Sequence, residues 1–309
     1  MKKLVSFLNV FRLAFSNLKA NDPVRMAGAT AFFAFFALPP IVIILSQILS
    51  TLFDDRYQSV SGRLFGQLAQ LFGPQSARQL QDITQHLQSQ KPDRLLTIVN
   101  VGVLLLTSTT LFAVIKSSLN QLWNVKAKPD RTWLHSLEDR LIALVIIFGS
   151  GLLVTASLTI SQALAVPGSA PDDDSVTWAG LINGIGRYGV SVLVLTVWFA
   201  MLLTYLPDVR VRWSATWVGA LVTAGLFTAG EWVLTRLLTY SLFRSMHGGA
   251  ATITLILLLV FYCSLIFYFG ASFTRQYAEG ANLKMTPNAN AVGYTIAEVK
   301  GPVSEPDDQ

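Results

Sequence analysis

Six long apolar stretches constrain the fold of this chain more than any other feature. A helix that crosses a membrane needs about 20 mostly apolar residues, because the hydrocarbon core is roughly 30 Å thick and a helix rises about 1.5 Å per residue. The stretches that meet this requirement are 26–53, 95–116, 141–166, 185–206, 214–239 and 250–274. They predict an all-α polytopic membrane protein with six transmembrane helices.

The composition agrees with lipid as the main solvent of the chain. Hydrophobic residues make up 52% of it and charged residues 13%, whereas soluble domains usually carry about 25% charged residues. The net charge of +5 does not indicate a nucleic-acid partner, because no basic cluster is interleaved with exposed aromatic residues. Membrane lipids are therefore the expected partners.

The distribution of Lys and Arg predicts how the bundle is oriented. With the N-terminus in the cytoplasm, the cytoplasmic segments hold 15 Lys and Arg residues and the opposite segments hold 6. Cytoplasmic loops of membrane proteins carry an excess of these residues. We therefore expect a multi-pass protein with both termini in the cytoplasm.

The chain divides into an N-terminal helix, a transmembrane domain and a tail. We expect 1–25 to form an amphipathic helix at the cytoplasmic interface, 26–275 to form the transmembrane domain with an extracytoplasmic helical loop at 54–94, and 276–309 to be disordered. The apolar face of the N-terminal helix carries Leu4, Phe7, Phe11, Ala14 and Leu18. The polar face carries Asn9, Arg12, Ser16 and Lys19.

Pro39 and Pro40 lie at the middle of the first predicted span. Each proline lacks a backbone N–H, and its ring clashes with the preceding turn of a helix. We expect a sharp kink or a helix break at this pair. Because lipid offers no partner for the freed carbonyl groups, this site should face other helices or a wet cavity.

Four sequence runs, taken in order, resemble the YihY/virulence factor BrkB family of bacterial inner-membrane proteins. The runs are Ala27-Gly28-Ala29-Thr30-Ala31-Phe32-Phe33 with Ala37-Leu38-Pro39; Leu111-Phe112 with Leu119-Asn120-Gln121-Leu122-Trp123-Asn124-Val125; Tyr205-Leu206-Pro207-Asp208 through Val211-Arg212-Trp213 to Gly219-Ala220; and Gly248-Gly249-Ala250-Ala251 to Tyr262, Gly270-Ala271 and Phe273-Thr274-Arg275. The resemblance covers about residues 20–278.

This resemblance implies six helices and a bacterial inner-membrane location, but no agreed activity. Transport, including transport of lipids, has been suggested for the family, and some members were once labelled ribonuclease BN. Two positions depart from the common family pattern. His247 stands where a Tyr is common, and Gly270-Ala271-Ser272 stands where Gly-Ala-Glu is common.

Three polar residues inside the predicted spans are candidates for a substrate pathway. Glu231, in the middle of the fifth span, is either a proton or substrate site or a buried structural group, because an acidic residue there costs about 2.5–3.5 kcal/mol to insert. Arg187 at the start of the fourth span either binds an anionic head group or anchors the helix. Asn100 in the second span lines a pathway or only links helices. Lys116 is interpreted as an ordinary interfacial anchor.

These features favour a transporter or flippase of lipids or other amphiphilic anions. The alternative is a non-transporting membrane scaffold or envelope assembly factor, for which the 54–94 loop or the N-terminal helix would dock partners. An enzyme is not expected, because His86, His135 and His247 fall on different sides of the predicted topology and cannot share a metal site. No cofactor motif is present, so neither a cofactor nor a metal is predicted.

Overall fold

A computed structural model of the chain describes residues 2–52, 94–128, 178–239, 249–288 and 291–295. Helices contain most of these residues, which confirms the all-α class predicted from the apolar stretches. The helices are α1 (Lys2–Ala20), α2 (Pro23–Leu52), α3 (Arg94–Leu122), α4 (Trp178–Tyr205), α5 (Trp213–Thr239) and α6 (Gly249–Gly280).

Five of the six predicted spans coincide with helices α2 to α6, within one or two turns at each end. The predicted span 141–166 and nearly all of the 54–94 loop lie outside the described residues. Within the described ranges, one stretch, Ile256–Gly280 of α6, is long and apolar enough to cross a membrane by length and composition. The number of spans therefore stays a prediction.

Helix α2 continues without interruption through Pro39 and Pro40. The helix break predicted at this pair is therefore wrong. A proline has a φ near −65°, which suits a helix, and each ring removes only one backbone donor. Transmembrane helices tolerate proline where neighbouring groups and local adjustments satisfy the freed carbonyls. A kink within the continuous helix stays a prediction.

The helices α2 to α6 pack side by side in the order α3, α2, α6, α5 and α4. Helix α1 packs against the last third of α6, where the Phe11 ring lies 4.9 Å from the Phe273 ring and 5.7 Å from the Phe269 ring. Ala14 and Leu18 of α1 are buried. The residues of its predicted polar face, Asn9, Arg12, Ser16 and Lys19, are exposed.

The core is most fully buried at one end of the bundle. This inner end comprises the start of α2 and α5 and the ends of α3, α4 and α6, and it is the end that the Lys and Arg distribution places toward the cytoplasm. The largest side chains that are almost completely buried include Leu119, Leu122, Leu203, Tyr268 and Phe273.

Two small antiparallel sheets cover the inner end. Strand β1 (Val125–Ala127) pairs with β4 (Ala291–Gly293), and strand β2 (Val209–Arg210) pairs with β3 (Thr286–Pro287). Since β3 and β4 follow α6, and α6 itself extends to Gly280, the prediction of a disordered tail from residue 276 is wrong for the described residues of that segment. Strands of two or three residues have no periodic pattern in the sequence, which is why they were missed.

Asp22, Asn124 and Asn282 each have a φ of 52° and turn the chain after α1, α3 and α6. Asn and Asp adopt this left-handed conformation more readily than other residues with a Cβ. After α6, the Leu283 N–H donates to the Ala278 carbonyl at 2.9 Å and satisfies an end group of the helix. These turns return the chain across the inner end.

Helices α5 and α6 interlock through two glycines and two threonines, here called the Gly–Thr clasp. A Cβ atom at Gly219 would overlap the Thr274 side chain, and a Cβ atom at Gly270 would overlap the Thr223 side chain. Each threonine hydroxyl donates at 2.7 Å to the carbonyl of the glycine four residues earlier in its own helix. The helices therefore approach closely without leaving these hydroxyls unsatisfied.

Candidate functional site

A buried polar cluster of Lys116, Asn120 and Asp208 joins α3 to the connection between α4 and α5. The Lys116 Nζ lies 2.9 Å from the Asp208 Oδ1. The Asn120 Nδ2 donates to the Asp208 Oδ2 at 2.8 Å, and the Asp208 N–H donates to the Asn120 Oδ1 at 2.8 Å. Each of the three residues is only 8% exposed. Asn120 thus holds both the side chain and the backbone of Asp208.

Local sequence explains how the three residues of the polar cluster meet. Lys116 and Asn120 are four residues apart on α3 and therefore share one helix face. Helix α4 ends at Tyr205, two residues before Pro207, as expected because proline disfavours helix in the residue that precedes it. The chain then leaves the helix, and Asp208 meets α3. Lys116 is buried and paired, so its interpretation as an ordinary interfacial anchor is wrong.

The segment after α6 is bonded to the same region. The Asn288 N–H donates to the Asp208 carbonyl at 2.9 Å, beside the pairing of β2 with β3. The Tyr294 N–H donates to the Asn124 carbonyl at 2.9 Å, beside the pairing of β1 with β4. The residues that follow α6 therefore hold the ends of α3 and α4 together.

Arg275 of α6 caps the C-terminal end of α3. Its Nη1 donates to the Leu122 carbonyl at 2.6 Å, and its Nε donates to the Glu279 Oε1 at 2.8 Å. A cation at the C-terminal end of a helix satisfies exposed carbonyl groups and complements the helix dipole. Glu279 orients the guanidinium, so this contact links the ends of two core helices.

Ser272 connects α6 to α1. Its hydroxyl donates to the Ala14 carbonyl at 2.8 Å and accepts from the Asn17 Nδ2 at 3.0 Å. Ser272 is completely buried. A Glu at this position, as is common in the family that the sequence resembles, would bring a larger and charged group between the two helices. In this chain the position is an attachment point for α1.

The four sequence runs that carry the family resemblance meet at the inner end. The first run supplies Thr30, whose hydroxyl lies 2.6 Å from the Tyr268 hydroxyl and donates to the Met26 carbonyl at 2.9 Å. The second and third runs supply Asn120 and Asp208 of the polar cluster. The fourth run supplies the Arg275 cap.

Glu231 lies on α5 away from the inner end, and its side chain is exposed. The choice between a proton or substrate site and a structural group therefore stays a prediction. The preceding residue, Gly230, is packed so closely on Tyr262 that a Cβ atom would overlap the phenol. No hydrogen bond or ion pair joins Glu231 to another side chain that the structure describes.

The other two sequence candidates lie at a level similar to Glu231. Asn100 is in the first third of α3, and Arg187 is in the first half of α4; the side chains of both lie outside what the structure describes. From the inner ends of their helices, Arg187 and Glu231 are each 18 residues away and Asn100 is 22 residues away, or roughly 27–33 Å along the helix axes. The three candidates therefore share a level but not a demonstrated contact.

The fold and the site define a helical membrane protein with a polar inner end. Among the residues that the structure describes, no group of His, Cys, Asp and Glu is placed to hold a metal ion. The chain belongs to the virulence factor BrkB family, whose model matches residues 14–292. The resemblance drawn from the four sequence runs is thereby confirmed.

Curated bacterial proteins described as UPF0761 membrane proteins are similar to this chain. The relative from Azotobacter vinelandii is 23% identical over 93% of this chain and 67% of its own length. The relative from Teredinibacter turnerae is 26% identical over 82% of this chain, which spans only 57% of that relative's length. The relative from Pseudoalteromonas translucida is 23% identical over 89% of this chain and 88% of its own length. No solved structure matches the chain. These relatives support a bacterial membrane location.

Proposed function

We propose that this protein is a transporter or flippase of lipids or other amphiphilic anions. In this proposal the chain crosses a bacterial inner membrane six times, keeps both termini in the cytoplasm, and acts without a cofactor and without enzymatic chemistry. The observation that carries the proposal is the exposure of Glu231. Its carboxylate lies on an apolar helix, and its side chain is exposed instead of packed into the described core.

Glu231 places a carboxylate at an energetically costly position of the predicted span. An acidic residue near the centre of a membrane span costs about 2.5–3.5 kcal/mol to insert on translocon scales. Among the described residues, the tight contact at this level is made by its neighbour Gly230 with Tyr262. Intramembrane carboxylates commonly serve proton relays and substrate pathways in pumps and transporters. A role in a proton relay or a substrate pathway explains why a carboxylate stands at position 231.

The residue types at the level of Glu231 suit an amphiphilic anion. Arg187 offers a permanent positive charge for a phosphate or carboxylate head group. Asn100 offers both a donor and an acceptor of hydrogen bonds. The apolar surfaces of the surrounding helices suit acyl chains. A lipid is therefore the substrate class that we favour.

In this proposal the polar cluster is the contact that opens and closes at the inner end. The polar cluster joins α3 to the α4–α5 connection and holds the described inner end together. We expect the Lys116–Asp208 pair to separate when a substrate passes at this end. Transporters commonly use packed interfaces that switch between two discrete arrangements.

Native mass spectrometry on protein released from its own membrane tests the proposal. We compare the wild type with Glu231→Gln, which removes the charge and keeps the size of the side chain. The matched control is Asp22→Asn, which removes an exposed carboxylate at the inner end. We expect a discrete bound amphiphile in the wild type and in the control, with at least tenfold lower occupancy in Glu231→Gln.

Proteoliposomes then test whether the protein moves lipids of the identified class between the two leaflets. The probe is a fluorescent derivative of that lipid, and a membrane-impermeant quencher removes the fluorescence of the probe in the outer leaflet only. We expect the wild type and Asp22→Asn to make the inner-leaflet probe accessible, and Glu231→Gln not to do so. Equal occupancy and equal movement in all three proteins would overturn the proposal. Release of a protein partner without any lipid would favour the membrane scaffold instead.

A further inference from the structure

Helix α1 carries an exposed stripe of alternating apolar and basic residues. Leu8 and Phe15 are each 62% exposed. Arg12 and Lys19 are exposed as well. Because these residues follow one another at spacings of four, three and four, they lie along one line of the helix surface. We call this line the α1 stripe.

A different face of α1 holds the helix to the bundle. Val10, Ala14 and Leu18 are buried. The Ala14 carbonyl accepts a hydrogen bond from Ser272, and the Asn17 side chain donates to the same hydroxyl. In the part of the chain that the structure describes, a face other than the α1 stripe docks the helix, and no packing contact there accounts for the apolar residues of the stripe.

The α1 stripe fits neither water nor hydrocarbon alone. Water would leave the Phe15 ring and Leu8 hydrated, and hydrocarbon would desolvate the Arg12 guanidinium. The boundary between acyl chains and head groups satisfies both kinds of side chain, since Arg and Lys place their stems in the apolar layer and their charges among the phosphates. Residues 1–21 contain no acidic residue, so the charge of this surface complements an anionic membrane.

We propose that the α1 stripe is a binding surface for the head groups of anionic phospholipids in the leaflet at the inner end. An acidic protein partner is less suited, because the apolar and basic groups alternate along one narrow line and do not form a separate apolar patch with a charged rim. Helix α2 begins at Pro23, three residues after α1 ends, so α1 stays next to a membrane-embedded helix. This surface does not depend on the transport function proposed above.

Lipid binding in nanodiscs of mixed phosphatidylcholine and phosphatidylglycerol tests the charge preference. We compare the wild type, the double variant Arg12→Gln/Lys19→Gln, and the control Lys126→Gln/Lys284→Gln, which removes two exposed charges elsewhere at the inner end. Native mass spectrometry measures the ratio of bound phosphatidylglycerol to bound phosphatidylcholine. We expect this ratio to fall about fivefold per charge removed from the α1 stripe and to stay near the wild-type value in the control.

Spin labels measure whether the α1 stripe lies in the membrane. Cys263 is the single cysteine, so a Cys263→Ser background allows one label to be placed at a chosen position. The labelled variant is Phe15→Cys on the α1 stripe, and the control is Ser16→Cys on the polar face. We expect the label at 15 to be relaxed mainly by oxygen, which concentrates in lipid, and the label at 16 mainly by a water-soluble nickel complex. Equal loss of phosphatidylglycerol in both double variants, or a water-exposed label at 15, would overturn the proposal.

Discussion

Asp208 is bound through three of its groups by residues from distant parts of the chain. Lys116 and Asn120 each take one carboxylate oxygen, the Asp208 N–H donates back to Asn120, and its carbonyl accepts from Asn288. Such a buried pair adds little net stability relative to a well-packed apolar pair, yet loss of one partner leaves an uncompensated charge. The cluster therefore specifies one arrangement of the inner end.

Replacing one member of the ion pair should destabilise the protein strongly. For Asp208→Asn we expect a loss of about 3–5 kcal/mol in the free energy of unfolding, because the Lys116 ammonium stays buried without its counter-charge. Thermal unfolding in detergent, followed by intrinsic fluorescence, measures the effect.

A double variant separates the loss of charge balance from the loss of packing. Lys116→Met/Asp208→Asn removes both charges, so it should recover a substantial part of the stability lost in Asp208→Asn. If the double variant is less stable than the single one, the cost arises from lost packing and not from an unpaired charge.

At the scale of elements, the Gly–Thr clasp determines how closely α5 and α6 approach. Gly219 and Gly270 each leave room for a threonine of the other helix. The arrangement is reciprocal, because each helix supplies one glycine and one threonine at a spacing of four. Small residues allow such close packing in membranes, where the hydrophobic effect between helices is weak.

Adding a methyl group at the clasp should force the helices apart. For Gly219→Ala we expect a loss of about 1–3 kcal/mol in the free energy of unfolding, because the new Cβ overlaps Thr274. Gly225→Ala is the matched control on the same helix, since a Cβ there meets nothing within 4 Å. The control should be neutral or up to about 1 kcal/mol more stable, because Ala favours helix over Gly. Equal effects in the two variants would contradict a steric role for Gly219.

At the scale of the whole molecule, the inner end contains the polar cluster, the Arg275 cap and both small sheets. The opposite level contains the transport candidates Asn100, Arg187 and Glu231. Membrane orientation decides which side of the cell each level faces. The Lys and Arg distribution predicts that the inner end faces the cytoplasm.

Labelling with a membrane-impermeant maleimide tests this orientation. In a Cys263→Ser background we expect Lys284→Cys, at the inner end, to react only after the cells are broken. Asp173→Cys, in the loop between the third and fourth predicted spans, should react in intact cells. The reverse pattern would show that the positive-inside rule misassigns this chain.

The sequence alone predicted the positions of five described helices and the family, but it misjudged several single residues. Lys116 was interpreted as an anchor because it follows an apolar stretch, which is the usual place for one. Its partner Asp208 is remote in the chain, and Asp208 is separated from Asn120, the neighbour of Lys116 on α3, by 88 residues. No local periodicity indicates a contact over such a separation. Two sequence features belong to this contact: the one-turn spacing of Lys116 and Asn120, and the Leu206-Pro207-Asp208 turn. Neither feature predicts the contact by itself, because it forms only where the ends of α3 and α4 lie together.

What the sequence by itself determined is the membrane class and the helical stretches, because lipid imposes a requirement on each segment separately. About 20 apolar residues in a row satisfy it without reference to the rest of the chain. Only the tertiary structure decided that Lys116 is paired, that Ser272 attaches α1, that Glu231 is exposed and that the segment after α6 pairs with two turns. Each of these depends on which helix surfaces face one another, and that is set by close packing between residues remote in sequence.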